Sequence, residues 1–97
     1  MEQIQVKEIK ISKKIAPKLS ERLILYVASN EFFILAPEQI PFFDETAIWK
    51  GEIHSRTNKD LLIFEIPLRI YEFYKLDEND YTVMVSEKTP KVIQVHI

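Results

Sequence analysis

The chain has 97 residues, of which 46% are hydrophobic and 29% charged, and its formal net charge is −2. This composition excludes a disordered chain and indicates one folded domain, residues 1–97. The absence of cysteine disfavours a small disulfide-stabilised secreted domain and indicates a cytoplasmic setting. The apolar runs are too short to cross a bilayer, and the N-terminal residues do not resemble a signal peptide, so no membrane partner is expected.

The chain has a single glycine, Gly51. Phosphate-binding loops and dinucleotide fingerprints need several glycines at fixed spacing, so both are excluded and no cofactor is expected. Turns that require a positive φ are expected at asparagine or aspartate, with Asn30, Asn58 and Asn79 as the asparagine candidates. Few glycines and no cysteine, with many Lys, Glu and Ile, are also typical of thermophile proteins.

The N-terminal segment predicts a strand with an interruption. Ile4 and Val6 lie on one face of an alternating pattern, whereas Ile9 and Ile11 lie on the other face. Such a change of face indicates a bulge near residues 7–8.

Two continuous apolar segments follow, at residues 22–28 and 32–36. Runs of this kind predict strands covered on both faces, and the polar Ser-Asn-Glu tripeptide between them is typical of a tight hairpin turn. Residues 37–45 contain two prolines. We expect no long helix there, because Pro41 would interrupt it.

The second half of the chain predicts four strands, at residues 47–54, 61–66, 81–86 and 92–97. The last two are expected to form a hairpin, because a short polar segment joins them. With the strands of the first half, they indicate a mainly β, small barrel-like domain.

One short helix is expected over residues 67–74. Pro67 suits the first helical position, where its missing N–H would have no partner in any case. Ile70, Phe73 and Tyr74 then recur on one face with helical spacing.

The strand–proline pattern occurs twice. The residues around Pro37 resemble those around Pro67, and in both places an apolar strand, a proline, two residues and an isoleucine are followed by an acidic turn. The similarity suggests two related half-units, residues 1–45 and 46–97.

The region around the predicted helix resembles the AbrB/SpoVT-type swapped-hairpin family. That family has a strand that runs into Ile-Pro, a short helix, a hydrophobic residue and an acidic turn ending in Asp. Here Pro67, Ile70, Tyr74, Leu76 and Asp80 fall at those spacings. The chain differs from the family where glycines are preferred.

Those differences are Lys75 and Asn79, which occupy the two glycine positions, and Tyr71, which occupies an arginine position.

The resemblance implies a swapped-hairpin or cradle-loop barrel, a homodimer, and a non-enzymatic DNA-binding regulator of transcription. The wider group includes double-psi barrels, many of which bind proteins. A protein–protein interaction module is therefore the alternative.

The resemblance places the nucleic-acid contacts on the hairpin that precedes the helix and on the helix itself. The residues concerned are Lys50, His54, Arg56, Lys59 and Arg69. A second basic cluster near the N-terminus, which includes Lys13 and Lys14, could follow phosphates along a duplex. Both sets also fit an ordinary solvated surface, and basic residues on an edge strand guard against aggregation.

A protein partner would instead use exposed aromatic side chains, because such residues dominate binding interfaces. The candidates are Phe42, Phe43, Trp49 and Tyr71, although adjacent aromatics more often close the end of a barrel. The distribution of charge discriminates between the two functions. A continuous basic face favours DNA, and basic groups scattered among carboxylates favour the interaction module.

No catalytic or metal site is expected. His54 and His96 are the only histidines, they are far apart in the sequence, and there is no cysteine to join them in a metal site. The acidic clusters fall where turns are predicted, and no serine lies in a nucleophile motif.

Overall fold

The computed structural model describes residues 5–12, 22–86 and 92–97. Strands make up 54% of the described residues and helices 15%, which confirms the mainly β prediction. The elements are β1 (Val6–Ser12), β2 (Arg22–Val27), β3 (Phe32–Ala36), α1 (Pro41–Thr46), β4 (Trp49–Asn58), β5 (Leu61–Pro67), α2 (Leu68–Phe73), β6 (Thr82–Val85) and β7 (Ile93–His96).

The strands form one curled antiparallel sheet, a half-barrel, in the order β1-β5-β4-β2-β3-β7-β6. The predicted hairpins β2–β3 and β6–β7 are both present. Strands from the two halves of the sequence are interleaved in the sheet, since β1 pairs with β5, β2 pairs with β4 and β3 pairs with β7. The N-terminal strands therefore complete the sheet that the C-terminal strands begin.

The long strand β4 changes partner along its length. Residues 49–54 pair with β2, whereas residues 55–58 pair with β5. Beyond the Ser55–Phe64 pair, β5 continues alongside β1 as far as Pro67. β4 and β5 consequently separate at this point, and the separation forms the cleft described below.

The predicted bulge in β1 is wrong. The register with β5 runs without a break from the Val6–Pro67 pair to the Ser12–Leu61 pair. Ile9 and Ile11 are buried, whereas Val6 points to the opposite face and is 42% exposed. The apolar pattern changes face in the sequence only because Val6 is an apolar residue on the exposed face, beside the cleft.

The concave face of the sheet holds the main core. All seven strands contribute side chains to it, and the most deeply buried include Leu25, Phe33 and Phe64. From α2 and the residues after it, Ile70, Tyr74 and Leu76 pack into the same cluster. The sequence predicted that Ile70, Phe73 and Tyr74 share the apolar face of the helix. Ile70 and Tyr74 do face the core, while Phe73 is 50% exposed.

A second apolar layer covers part of the convex face, where α1 lies. Tyr26, Ile34 and Ala36 of β2 and β3 are buried there, and Phe43 of α1 packs against them. The prediction that these strands are covered on both faces is therefore confirmed. The fold has one helix more than expected, because Pro41 starts α1 instead of interrupting a helix.

Helix α2 begins one residue later than expected, with Pro67 as its N-cap, and ends in a Schellman motif. The N–H of Leu76 donates to the carbonyl of Tyr71, and the N–H of Lys75 donates to the carbonyl of Glu72. Lys75 accordingly has a φ of 52°.

The other left-handed residue is Lys59, with a φ of 56°, in the turn between β4 and β5. Among the described residues, positive φ therefore falls on two lysines, and the expectation that asparagine or aspartate would take these positions is wrong. The end of α2 and the turn of the hairpin impose the left-handed φ at these positions, whatever conformation the side chain prefers.

Candidate interaction cleft

The separation of β4 from β5 opens a cleft of ≈ 510 Å³ in the side of the half-barrel. One wall is β4, and the other wall belongs to β5 and β1. Most of its lining is apolar, and its charged groups stand at the convex surface. The lining residues are Val6, Trp49, Gly51, Glu52, Ile53, His54, Glu65 and Pro67.

Main-chain groups also line the cleft. In a sheet, alternate residues of a strand direct N–H and C=O groups to opposite sides. Over residues 49–54, β4 has β2 on one side and, within the described parts of the chain, no strand on the other. This stretch of β4 is therefore an open strand edge in the interior of a sheet.

Trp49 and Gly51 form the floor of the cleft together. They lie two positions apart on one strand, so both side-chain positions are on the same face. A Cβ atom added to Gly51 would lie 2.4 Å from Cη2 of the Trp49 indole and 2.8 Å from its Cζ2. The indole therefore lies directly over Gly51, and the absence of a side chain there is what allows this position.

Two carboxylates stand at the cleft, one on each wall. The Nε atom of Arg22 lies 3.5 Å from Glu52, and Nη1 of Arg56 lies 3.7 Å from Glu65. The side chains of Glu52 and Glu65 are still 56% and 35% exposed. Neither arginine lines the cleft itself, so the lining carries more negative than positive charge.

The residues predicted to contact DNA do not form a continuous basic face. Lys50 lies 3.3 Å from Asp44, and Arg56 is paired with both Glu8 and Glu65. Lys50, His54 and Arg56 do share the convex side of β4, where Glu52 interrupts them.

The remaining basic candidates lie on other elements. Lys59 occupies the β4–β5 turn, and Arg69 is exposed on α2. Lys13 and Lys14 lie outside the described residues. Glu8 faces Glu65 directly across the β1–β5 ladder, so Arg56 also neutralises two like charges there.

The aromatic candidates are distributed over separate surfaces. Phe42 and Phe43 are on α1, with ring centroids 5.2 Å apart, and Phe42 is 65% exposed. Tyr71 and Trp49 instead pack against the main core on the concave side. Of the four predicted residues, Trp49 is the one that lines the large cleft.

A smaller hollow of ≈ 240 Å³ lies between α1 and the convex face of β2 and β4. The Tyr26 hydroxyl donates to Asp44 over 2.7 Å and accepts the N–H of Ile40 over 3.1 Å. Burial is the main cause that raises the pKa of Tyr26, and the hydrogen bond from Tyr26 is the main cause that lowers the pKa of Asp44. These hydrogen bonds attach α1 to the sheet. We therefore interpret the hollow as part of this attachment and not as a binding site.

The described residues contain no group of three or more His, Cys, Asp or Glu side chains placed to hold a metal ion. In the same residues, no helix has the length and apolar character needed to cross a membrane. No family model matches the chain, and neither a curated protein nor a solved structure has significant similarity to it. The geometry of the cleft is therefore the basis for a functional interpretation.

Sequence reasoning identified Trp49 but missed the other members of the cleft. Glu52 and Glu65 were assigned no role in binding, and Val6 and Pro67 were expected only as strand and helix residues. One sequence feature could have indicated the site. The only glycine follows the only tryptophan by two positions in an alternating strand, which places a ring and a gap on one face.

Proposed function

We propose that this chain is a non-enzymatic protein-interaction module whose partner binds in the cleft between β4 and β5. The observation that carries the proposal is the combination of an apolar cleft of ≈ 510 Å³ with a tryptophan in its floor. Binding sites are typically concave, mainly apolar, and equipped with a few polar groups that orient the ligand.

Trp49 supports the proposal because of how it is held. Its ring packs against the main core on one side and lies over Gly51 along the strand. A ring fixed in this way loses little conformational freedom on binding, and tryptophan is among the residues that contribute most to interface energy.

DNA binding, as implied by the AbrB/SpoVT resemblance, is the competing proposal. What supports it is that Lys59 and Arg69 carry no ion pair within the described residues. What weighs against it is the pairing of Lys50 and Arg56 with carboxylates, since a duplex would have to displace these partners. A cytoplasmic homodimer, expected from the same resemblance and from the absence of cysteine, is compatible with either function.

One experiment separates the two proposals. Random duplex DNA and a displayed library of random peptides are each tested for binding, and the molecular mass in solution is measured in parallel. We expect selected peptides to bind the protein and to lose affinity for the Trp49→Ala variant, while the Phe42→Ala variant, which removes an exposed aromatic elsewhere, binds normally. We expect no tight binding to DNA at physiological salt.

DNA affinity that falls by about 10³-fold or more between 50 and 200 mM salt would overturn the proposal in favour of a nucleic-acid function. Selected peptides that bind the Trp49→Ala variant as well as the parent protein would place the binding site outside the cleft. Because Trp49 is the only tryptophan, its fluorescence also reports directly whether a bound peptide occupies the cleft.

A further inference from the structure

We infer that the cleft receives an extended strand of a partner protein, which adds to the open edge of β4 and alternates apolar with basic side chains. This inference rests on the proposed function and specifies the partner's chemistry. Three observations carry it: the open main-chain edge, the apolar floor, and the carboxylates at the two walls.

The open edge dictates an extended conformation. Over residues 49–54, the main chain of β4 has no strand partner on the β5 side within the described residues. An extended peptide satisfies such an edge through main-chain hydrogen bonds, and it obtains specificity from alternate side chains. A helix could not pair with these groups, since its own N–H and C=O groups are used internally.

The apolar floor selects the side chains that point inward. Trp49 and Ile53 lie on the concave side of β4 and form this floor, whereas Val6 and Pro67 are apolar groups on the convex side of the opposite wall. Every second residue of an added strand would point toward this floor. β-branched apolar residues suit these positions, because they fit a pleated, half-buried surface.

The two carboxylates select the side chains that point outward. Glu52 stands on one wall and Glu65 on the other, both on the convex side. Lysine or arginine at the outward positions of the peptide would meet them. Their present partners, Arg22 and Arg56, leave both carboxylates partly exposed, so an additional cation can be accommodated.

The test uses four short capped peptides: one that alternates valine with lysine, one that alternates valine with glutamate, and two versions of the lysine peptide that carry N-methyl groups on one or the other set of alternate amides. We expect the lysine peptide to shift the Trp49 emission and to slow the hydrogen exchange of amides in residues 49–54. We expect the glutamate peptide to bind at least about tenfold more weakly. N-methylation of the amides that face β4 should abolish binding, whereas methylation of the other set should be tolerated.

Two variants and one control variant test which residues of the protein contribute to peptide binding. Glu52→Gln combined with Glu65→Gln should weaken binding of the lysine peptide by about tenfold, whereas Glu72→Gln combined with Glu78→Gln, the same change of charge away from the cleft, should leave it unchanged. Gly51→Ala should also weaken binding, because the added Cβ displaces the indole. Its effect on Trp49 fluorescence without peptide shows whether the ring has moved.

Equal affinity for all four peptides, or no slowing of exchange in residues 49–54, would overturn strand addition. Peptides that fail here, while library-selected ligands still depend on Trp49, would overturn the inference but leave the proposed interaction module intact. Ligands that never depend on Trp49 would overturn both. A mass of twice the monomer, with residues 49–54 protected before any peptide is added, would mean that a second copy of the chain occupies the edge.

Discussion

The convex surface of the half-barrel has two regions that differ in how they are covered. The covered region consists of β2 and β3 with α1, where Tyr26, Ile34 and Ala36 are buried beneath the helix. The open region consists of β1, β5 and the β4 residues beside them, where no helix of the described residues lies on the convex side and Val6 and Leu61 are 42% and 39% exposed. The concave sides of both regions belong to one core.

The difference follows from the residues at the convex positions. In the covered region these positions are apolar or aromatic apart from Arg22, so a second layer is needed to remove them from water. In the open region the charged residues Glu8, Lys10 and Glu65 can remain in solvent, and the apolar Val6 and Leu61 stay partly exposed. Ile63 is the exception, since it is only 3% exposed.

Ile63 has Lys10 and Arg56 as its partners on the two neighbouring strands. The long apolar stems of such side chains can cover an isoleucine while their charges stay in water. Among the described residues, the open region is therefore stabilised without a second layer, and its cleft stays accessible.

The largest difference in stability is expected when one convex-face side chain in each region is shortened to alanine. Ile34→Ala should lower the free energy of unfolding by about 2–4 kcal/mol, because Ile34 is fully enclosed between β3 and the α1 layer. Val6→Ala should cost less than about 1 kcal/mol, because that side chain is already largely in water. Chemical denaturation of both variants checks this, and similar losses would mean that the two regions are covered equally.

The next test removes the hydrogen bonds that attach α1 to the covered region. Tyr26→Phe leaves the Ile40 N–H without its acceptor and removes the hydroxyl that donates to Asp44, which should cost about 1–3 kcal/mol. Lys50→Gln serves as a control, because it removes a partner of Asp44 but leaves both bonds of Tyr26.

The same tyrosine predicts a pH dependence. The pKa of Tyr26 is raised by burial in the folded state, so its contribution to stability is complete below pH ~10, the pKa in the unfolded chain, and is lost as the pH rises above that value. The unfolding free energy of the parent protein should therefore fall more steeply above pH 10 than that of Tyr26→Phe. Tyr74 and Tyr81, whose pKa values are also raised by burial, are present in both proteins, and parallel curves would contradict the prediction.

A smaller effect is expected for the charges of the open region. Arg56→Gln leaves Glu8 and Glu65 directly opposite each other on paired strands, which should cost about 0.5–1 kcal/mol at low salt and less at high salt. Arg69→Gln, an exposed arginine without an ion pair among the described residues, is the matched control. A loss that does not depend on salt would indicate packing of the Arg56 stem as the cause.

The smallest effect is a gain in stability at the end of α2. Lys75→Gly should stabilise the fold by about 0.5–1 kcal/mol, because glycine removes the strain of a left-handed φ, although the unfolded chain gains some freedom. Lys59→Gly should act in the same direction at the hairpin turn. Arg69→Gly, at a regular helical position of α2, should instead be destabilising. Thermal unfolding of the three variants measures these changes in stability, and a lower melting temperature for Lys75→Gly would contradict the prediction.

Much of the fold could be predicted from the sequence. The β2–β3 hairpin, its burial on both faces and the final hairpin all follow from local patterns of apolar and polar residues. Errors arose where a single residue was given too much weight. No long helix was expected at residues 37–45, and α1 has only six residues, but Pro41 starts this helix where an interruption was expected. A bulge was expected near residues 7–8, although Val6 is simply an exposed residue in a regular ladder.

The candidate site could be predicted only in part. Trp49 was named because exposed aromatics are common binding residues, but the basic residues of β4 were assigned to DNA without knowledge of their carboxylate partners. Glu8, one partner of Arg56, lies on a strand that is distant in sequence, whereas Asp44, the partner of Lys50, lies on α1 only six positions away. No local pattern indicates which charges will meet across a sheet.

The sequence by itself determined which face of each strand is apolar, because side chains alternate with a period of two residues wherever the strand lies. It also determined where the chain turns and where a short helix begins. The tertiary structure alone decided that β4 would leave β5 and pair with β2. That choice depends on how distant strands close the half-barrel, and it is the physical reason why the cleft, its open edge and its two carboxylates exist.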